Sequence, residues 1–433
     1  MKVIIVGAGF AGLTAAIECR KRGATVILFE SSPSRRQLGD IISFGSNSGR
    51  IFQRWEGVTE KMDPLCHHSD GLVFNAWDGD FLIKQIWDEE ANWGKRFNGH
   101  RGEIHEIVWQ HAIDLGVEIR LGSKVTEYFE TESEAGVIVK GEKIAGDVVL
   151  AADGVRSLAR TIVLGFEDKP QSSGYAVYRA WMGTEKLKEN PLTAYLADPN
   201  VDHHEGWLGP DVHFLVATLQ KGTACSWVLT HKVSTSSFVI QPLCSHRSQD
   251  TADVEESWSA PGDIEDAVKT VEGWAPIVHA IIRATPPDRV VDWKLVFRDP
   301  LPTYVSPKSR IALIGDAAHP FLPTSIQGAS QSMEDGVTAA ICLELAGKNN
   351  VPNALHVYEK IRYERVHAVQ QTGITNRDNW HKADFAKVKA NPESIKLPRQ
   401  EWVLNFDAQE HAYKVFADTL KSLKEEPEAR PSL

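Results

Sequence analysis

Residues 1–30 decide the fold, and they read MKVIIVGAGFAGLTAAIECRKRGATVILFE. Residues 3–6 and 25–29 are short apolar runs of the kind that form buried parallel strands. Between them, Leu13, Ala16 and Ile17 recur at helical spacing, and Gly23 follows a basic cluster that suits the C-terminus of a helix. The stretch therefore predicts a strand–helix–strand unit within a parallel sheet.

The turn between the first strand and the helix matches the pattern G-x-G-x-x-G, with glycines at 7, 9 and 12. Gly7 permits a tight turn, Gly9 lets a pyrophosphate approach the backbone, and Gly12 allows the helix to pack closely on the strand. Glu30 ends the second strand about 20 residues beyond the motif, where a carboxylate bonds a ribose diol and repels a 2′-phosphate. The pattern favours FAD or NAD over NADP here, while a plain glycine-rich turn with a surface glutamate is the alternative.

The composition is typical of a folded globular protein, with 433 residues of which 42% are hydrophobic and 24% charged. The net charge of −11 disfavours nucleic-acid binding, which usually needs a basic surface. No run of about 18 apolar residues occurs, so we predict no membrane span. We expect a cytoplasmic protein, with a length that suggests two or three domains.

Neither the cysteines nor the histidines indicate a metal site. The five cysteines are odd in number and contain no C-x-x-C pair, which disfavours both disulfides and a zinc ribbon. Adjacent histidines at 67–68 and 203–204 lack the spacing typical of metal ligands. We therefore predict no metal site.

Two later segments separate FAD from NAD. Residues 148–152 form a predicted buried strand that leads into Asp153-Gly154. Residues 310–314 form another predicted strand, which leads into Gly315-Asp316 and then, from about residue 330 to 346, into a helix.

These segments closely resemble the D-G and G-D motifs of the single-component, FAD-dependent aromatic hydroxylases, the flavoprotein monooxygenases related to salicylate and p-hydroxybenzoate hydroxylases. The resemblance covers most of residues 1–370, with three motifs in the order of the family. It implies that Asp316 bonds the ribityl chain of FAD, that the backbone at Gly328 and Ala329 lies beside the flavin, and that Arg101 reaches the FAD ribose and phosphates. The full set of cofactor-binding residues that we predict is Gly7, Gly9, Gly12, Glu30, Arg101, Asp153, Gly315, Asp316, Gly328 and Ala329.

The chemistry implied by this resemblance starts with NADPH, which reduces FAD as a transient electron donor. Oxygen then forms a flavin hydroperoxide that transfers one oxygen atom to an electron-rich ring. Because water destroys such a species, the site needs an apolar, closable pocket. The alternating runs within residues 166–289 predict an antiparallel sheet, one face of which would cover the flavin.

Arg179 and Asp40 are the candidate catalytic residues. Arg179 matches an arginine on the substrate-domain strand of related enzymes, and Asp40 stands where simple phenol hydroxylases commonly have a small residue. Asp40 makes the chain similar to the fungal branch that oxidises indole alkaloids and other secondary metabolites. In an indole 2,3-epoxidation, Arg179 would polarise the epoxide oxygen and Asp40 would orient a ring N–H or a substrate amine. Alternatively, Arg179 pairs with a carboxylate at the domain interface, and Asp40 is a turn residue that contacts FAD through its backbone.

The predicted fold class is α/β, with a Rossmann-like FAD-binding domain of three layers, an inserted antiparallel substrate sheet and a helical C-terminal segment. Because the predicted FAD contacts are scattered, the FAD domain is discontinuous and takes residues 1–165 and 290–370. The substrate domain takes residues 166–289, and the C-terminal segment takes residues 371–433. Trp181, Trp207, Trp227 and Trp293, from a surplus of 13 tryptophans, lie in or beside the substrate sheet.

The leading hypothesis is a monooxygenase, monomeric or homodimeric, that acts on a small aromatic substrate with O2. Three alternatives stay open: a salicylate-type phenol hydroxylase, a flavin halogenase or dehydrogenase on the same fold, and a non-catalytic FAD-fold binding protein.

Overall fold

The fold is known from a computed structural model that describes residues 1–35, 39–87, 90–233 and 260–425. Cys244 lies outside these residues, while the cysteines at 19, 66, 225 and 342 are buried and form no disulfide. In the described part of the chain, no helix has the length and apolar character needed to cross a bilayer. Nor do these residues include a group of three or more His, Cys, Asp or Glu side chains that could hold a metal ion.

A five-stranded parallel sheet forms the first layer, in the order β18-β11-β1-β2-β7. Its strands are β1 (Lys2–Val6), β2 (Thr25–Phe29), β7 (Glu118–Arg120), β11 (Val148–Ala151) and β18 (Ile311–Leu313). Helix α1 (Phe10–Lys21) joins β1 to β2, so the predicted strand–helix–strand unit is confirmed. Because parallel strands end at the same edge of a sheet, the turns after β1, β11 and β18 converge there.

An eight-stranded sheet forms the second large element, in the order β16-β17-β12-β15-β14-β13-β4-β5. Its strands are β4 (Gly71–Ala76), β5 (Phe81–Ile86), β12 (Gln171–Gly183), β13 (His204–Gly209), β14 (Val212–Leu219), β15 (Ala224–Lys232), β16 (Ala260–Pro261) and β17 (Val290–Phe297). All neighbours pair antiparallel except β13 and β4. The sheet thus takes strands from both sides of the predicted substrate domain, namely from 71–86 and 290–297.

Two small antiparallel sheets make up the rest of the β-structure in the described residues. They consist of β3 (Ile41–Phe44) with β6 (Phe97–His100), and of β8 (Val125–Glu130), β9 (Ala135–Val139) and β10 (Glu142–Gly146). The remaining α-helices of the described residues are α2 (Ser46–Gln53), α3 (Val58–Met62), α4 (Glu90–Trp93), α5 (Arg101–Asp114), α6 (Ala159–Leu164), α7 (Glu185–Glu189), α8 (Ile264–Thr270), α9 (Pro276–Ala284), α10 (Gly328–Ala346), α11 (Val351–His381), α12 (Phe385–Ala390), α13 (Glu401–Leu404) and α14 (Ala408–Glu425). The α/β class with a parallel sheet, a separate antiparallel sheet and C-terminal helices is confirmed.

Helix α11 links the two large sheets. Its first half packs beside α10, and its last turn places Trp380 in an apolar cluster with Phe74 and Leu208 of the eight-stranded sheet. The boundary predicted after residue 370 falls inside this helix. The division into domains stays a prediction.

The two faces of the eight-stranded sheet pack against different parts of the molecule. On one face, Trp207 and Trp227 are buried among side chains of α8 and α9. Residues alternate between faces along a strand, so Arg179 and Trp181 of β12 lie on the other face. Asp40 and His100, from the half of the molecule that carries the parallel sheet, contact this face. Of the four tryptophans singled out above, two therefore belong to a structural core.

Candidate functional site

The turn after β1 requires glycine at two positions. Gly7 has φ +97°, and a Cβ there would lie 2.2 Å from the carbonyl oxygen of Ala152. A Cβ on Gly12 would lie 1.9 Å from the carbonyl oxygen of Gly7, so helix and turn touch at this point. A Cβ on Gly9, by contrast, would meet no atom within 4 Å. Gly9 therefore faces open space at the N-terminus of α1, which no side chain caps.

Glu30 is fixed beside this turn. One carboxylate oxygen accepts the Ala8 N–H at 3.0 Å, and the other accepts the Ser32 N–H at 2.7 Å. His105, which sequence reasoning missed, contacts the Ala8 carbonyl through Nε2 at 2.6 Å. The space before Gly9, the uncapped helix and the fixed carboxylate fit a pyrophosphate and a ribose diol.

Asp153 caps its own turn. One oxygen accepts the Tyr128 hydroxyl at 2.8 Å and the Leu158 N–H at 3.1 Å. Burial raises the pKa of Asp153 above its ordinary value, against the effect of these hydrogen bonds. Its cofactor role stays a prediction, since the described contacts are those of a turn-capping side chain.

Asp316 and Arg101 interact electrostatically although they are distant in sequence. Burial raises the pKa of Asp316, while electrostatic interactions with His319, Arg101 and Arg160 act to lower it. Gly315 holds the turn before Asp316 with φ +61°. Asp316 and these neighbours thus form a polar group at the turn after β18.

Helix α10 starts close to this turn, at Gly328 rather than at about residue 330. Its N-terminus has no side-chain cap, and Gly328 and Ala329 are half-buried. Ile326 lies two residues before the start of α10 and has φ +57°, which is a strained conformation for a β-branched residue. The uncapped N–H groups fit an electron-rich ring edge of a flavin, as the resemblance implied.

Arg179 and Asp40 form an ion pair, in which each side chain is about one-sixth exposed. Arg179 lies on β12, and Asp40 lies on the loop before β3. Burial lowers the pKa of Arg179, Asp40 opposes this shift and Arg101 adds to it. The two alternatives for Arg179 therefore coincide, because the carboxylate with which it pairs is the other candidate catalytic residue.

The loop that carries Asp40 is tied to both halves of the molecule. The Asp40 carbonyl accepts the Arg101 N–H at 3.0 Å, and the Ile41 N–H contacts the Ser226 hydroxyl at 3.4 Å. A Cβ on Gly39 would lie 1.8 Å from the His100 ring, so this loop rests directly on His100. The ion pair therefore joins groups whose backbones are already held in place.

Aromatic and apolar side chains surround the ion pair. The Arg179 guanidinium lies 4.9 Å from the centre of the Trp293 ring. Trp181 packs edge to face on His100, with 4.5 Å between the ring centres. Trp293 also belongs to an apolar cluster, made of Tyr175, Val177, Leu295, Leu322, Val228 and Ile374. The Nε atom of Arg179 is buried and finds no hydrogen-bond partner in the described structure.

Only some of the side chains around the Arg179–Asp40 ion pair were predictable from the sequence. The two-residue spacing of Arg179 and Trp181 places them on one sheet face, and that signal was available. Leu322 and Ile374 come from a loop and from α11, and no local pattern marks them as neighbours of Trp293.

A buried ionic cluster behind the Asp316 turn was also missed. Glu334 and Asp335 of α10 and Arg362 of α11 have no exposed side-chain surface. Burial acts to raise the pKa of both carboxyls, but the neighbouring cations outweigh it and hold both pKa values below the ordinary range. The signal was the acidic pair in a helix that has no other charged residue before Glu344.

Comparison with known proteins gives consistent results. The family described as "FAD binding domain" matches residues 1–372. The chain is 35% identical over 439 aligned positions to asperlicin C monooxygenase of Petromyces alliaceus, an alignment that covers 100% of this chain and 91% of that protein. It is also 35% identical to the FAD-dependent monooxygenase okaB of Penicillium ochrochloron, with 99% and 93% covered.

Solved structures agree with these sequence matches. CtdE in complex with FAD and a substrate has a TM-score of 0.89 at 34% identity, covering 98% of this chain and 100% of that one. FqzB has a TM-score of 0.86 at 36% identity, with 100% and 96% covered. A salicylate hydroxylase in a substrate complex is more distant, with a TM-score of 0.75, 26% identity, and 95% and 97% covered.

Proposed function

Because this chain belongs to the FAD-dependent monooxygenases, we propose that it inserts one oxygen atom from O2 into an electron-rich aromatic substrate of secondary metabolism. NADPH is the electron donor in this proposal. The sharper form is a 2,3-epoxidation of an indole alkaloid. The similarity to asperlicin C monooxygenase supports a role in fungal secondary metabolism, and the similarity to CtdE in complex with FAD and a substrate supports the use of FAD.

The single observation that carries the proposal is the ion pair of Arg179 and Asp40 beside Trp293. Arg179 keeps a buried Nε–H without a partner among the described residues, so a donor is available for an oxygen atom on the substrate. A guanidinium in such an apolar setting stabilises negative charge that develops on that oxygen more strongly than in water. Asp40 is the acceptor that would orient a ring N–H or an amine.

FAD, when bound, supplies the redox chemistry: it takes two electrons from NADPH and activates O2, of which one atom goes to the substrate and the other leaves as water. The chain holds the cofactor through the Gly7–Gly12 turn, Glu30, Arg101 and Asp316 in this proposal. The cluster around Trp293 and Leu322 excludes water from the reacting atoms.

The ion pair also weighs against the phenol hydroxylase alternative. A salicylate-type substrate brings its own carboxylate, for which a free arginine is the natural partner. Asp40 already neutralises Arg179, so a second carboxylate would meet repulsion from Asp40. A neutral indole or an alkaloid amine avoids that repulsion.

The test is a panel of indoles, indole alkaloids and hydroxybenzoates, each added to the purified holoenzyme with NADPH under 18O2. We expect one or more indole compounds to stimulate NADPH oxidation and to gain one 18O atom by mass spectrometry. Turnover of hydroxybenzoates with no indole oxidised would overturn the indole assignment and leave the monooxygenase class intact. NADPH oxidation that yields only hydrogen peroxide with every compound would contradict both the indole and the aromatic substrate assignments.

A further inference from the structure

The carboxylate of Asp335 accepts hydrogen bonds from three donors in the interior of the protein. One oxygen accepts the Gly315 N–H at 2.8 Å and Nε2 of His319 at 2.6 Å. The other oxygen accepts Nε of Arg362 at 2.7 Å. The side chains of all three ionisable residues are at most 1% exposed. Three charged hydrogen bonds without solvent form a rigid arrangement, because each partner loses much energy if it is left alone.

Two of these donors lie at the two ends of the Asp316 turn. Gly315 precedes Asp316, and His319 ends the turn with its own N–H bonded to the Gly315 carbonyl at 2.9 Å. The turn packs tightly against α1 and α10, because a Cβ on Gly315 would lie 2.7 Å from Cβ of Ala11 and 3.0 Å from the Ser332 hydroxyl. Asp335 therefore ties both ends of the turn to α10.

Arg362 supplies the charge that keeps this arrangement together. It also bonds Glu334 at 2.5 Å and the Gln331 side chain at 2.7 Å, so its guanidinium is fixed by two further residues of α10. Burial opposes ionisation of Asp335, yet His319 and Arg362 hold its pKa below the ordinary value. Asp335 thus stays a carboxylate, which accepts hydrogen bonds only.

We propose that Asp335 is a positioning residue for the cofactor, which fixes the turn from Gly315 to His319 so that Asp316 and the N-terminus of α10 face FAD together. His319 links the end of the turn to Asp335, and Arg362 supplies the positive charge that balances the Asp335 carboxylate. The inference rests on FAD binding by this chain and is independent of the substrate.

The variant Asp335→Asn tests the proposal with almost no change in shape. Asparagine replaces one acceptor oxygen by an NH2 group, which must face donors from Gly315 and His319 or from Arg362. We expect FAD to dissociate from the holoenzyme at least about tenfold more readily, since a donor is left unsatisfied. Release is measured by flavin fluorescence on dilution. The visible circular dichroism of the bound flavin should change as well, because its polar surroundings move.

Two further variants separate positioning from general stability. Arg365→Gln is the matched control, since Arg365 bonds Glu334 at 2.8 Å in the same cluster but not Asp335 or the turn. It should lower the melting temperature and leave FAD release and flavin dichroism unchanged. His319→Phe keeps the ring packing against Tyr304 and Phe321, and it removes the bond to Asp335 together with the electrostatic effect of His319 on Asp316. It should weaken FAD binding and alter the dichroism to a smaller extent.

The proposal is overturned if Asp335→Asn binds FAD with unchanged affinity and dichroism, or if Arg365→Gln alters both as strongly. Should Asp335→Asn fail to fold, His319→Phe decides: unchanged affinity and dichroism in that variant overturn the proposal, and a change in both supports it.

Discussion

Arg179 on β12 and Asp40 before β3 form an ion pair between the two halves of the molecule, with the ring of Trp293 against the guanidinium. Since neither charge is well exposed to solvent, each depends on the other. We expect Asp40→Asn and Arg179→Met each to lower the free energy of unfolding by about 1.5–3 kcal/mol, which is typical of a lost hydrogen bond to a charged group.

The double variant should cost less than the sum of the two single variants, because it leaves no charge without its partner. Urea unfolding of the holoenzymes gives the free energy of unfolding of the parent, the two single variants and the double variant. Strictly additive losses would show that the pair has no energetic coupling.

Trp293 and Trp227 should respond to mutation in different ways. Trp227 is fully buried, and its indole N–H donates to the Thr285 hydroxyl at 2.8 Å, so Trp227→Phe should cost about 1–3 kcal/mol of stability. Trp293→Phe should cost less than about 1 kcal/mol, as expected for a weakened cation–π contact at a partly exposed ring. Its effect should appear as less oxygenated product per NADPH consumed.

Thermal unfolding and the product yield per NADPH give the two readouts for each variant. A Trp293→Phe enzyme with unchanged yield, or a Trp227→Phe enzyme with unchanged stability, would contradict the division of the sheet into a structural face and a site face.

The Gly9 and Gly12 variants separate cofactor space from protein packing. Gly9 has φ −71°, which alanine adopts freely, and its Cβ would point into open space. Gly9→Ala should therefore leave stability without added FAD within about 0.5 kcal/mol of the parent and reduce the rise in melting temperature that FAD produces. Gly12→Ala should lose about 1–3 kcal/mol even without FAD, because its Cβ would meet the Gly7 carbonyl at 1.9 Å.

Melting temperature is followed against FAD concentration for both proteins. If Gly9→Ala responds to FAD like the parent, the space before this glycine is not where the cofactor binds.

Local features of the site were predictable from sequence, and long-range ones were not. The turn of residues 7–12 and Glu30 follow from a pattern whose glycines have separate steric causes. The structure shows two of those causes, because a Cβ on Gly7 or Gly12 would lie only 2.2 or 1.9 Å from a backbone carbonyl oxygen. The pairing of Asp40 with Arg179 depends on how two sheets meet, which no local pattern encodes. The same holds for Asp335 and Arg362, which lie on adjacent helices and meet only after both are packed.

The hydrogen bond between His213 and His381 predicts how stability depends on pH. Nδ1 of His213 lies 2.6 Å from Nε2 of His381, so one ring must accept and the pair cannot be doubly protonated without breaking. Burial lowers the pKa of His213 well below its ordinary value, and burial lowers that of His381 to about 4. In the unfolded chain both rings take up protons near the ordinary value of about 6.5.

Between pH 6.5 and 4 the unfolded state consequently binds more protons than the folded state, and the free energy of unfolding falls as the pH falls. Above pH 6.5 the contribution of the pair is fully present. His381→Gln removes one titrating ring and keeps a donor for His213, so its urea midpoint should change less between pH 7.5 and pH 5 than that of the parent. His279→Gln on α9, which packs on the opposite face of the sheet, is the control and should keep the parent's slope. If the urea midpoint of His381→Gln changed with pH as much as that of the parent, the His213–His381 pair would not be the cause of the loss of stability in acid.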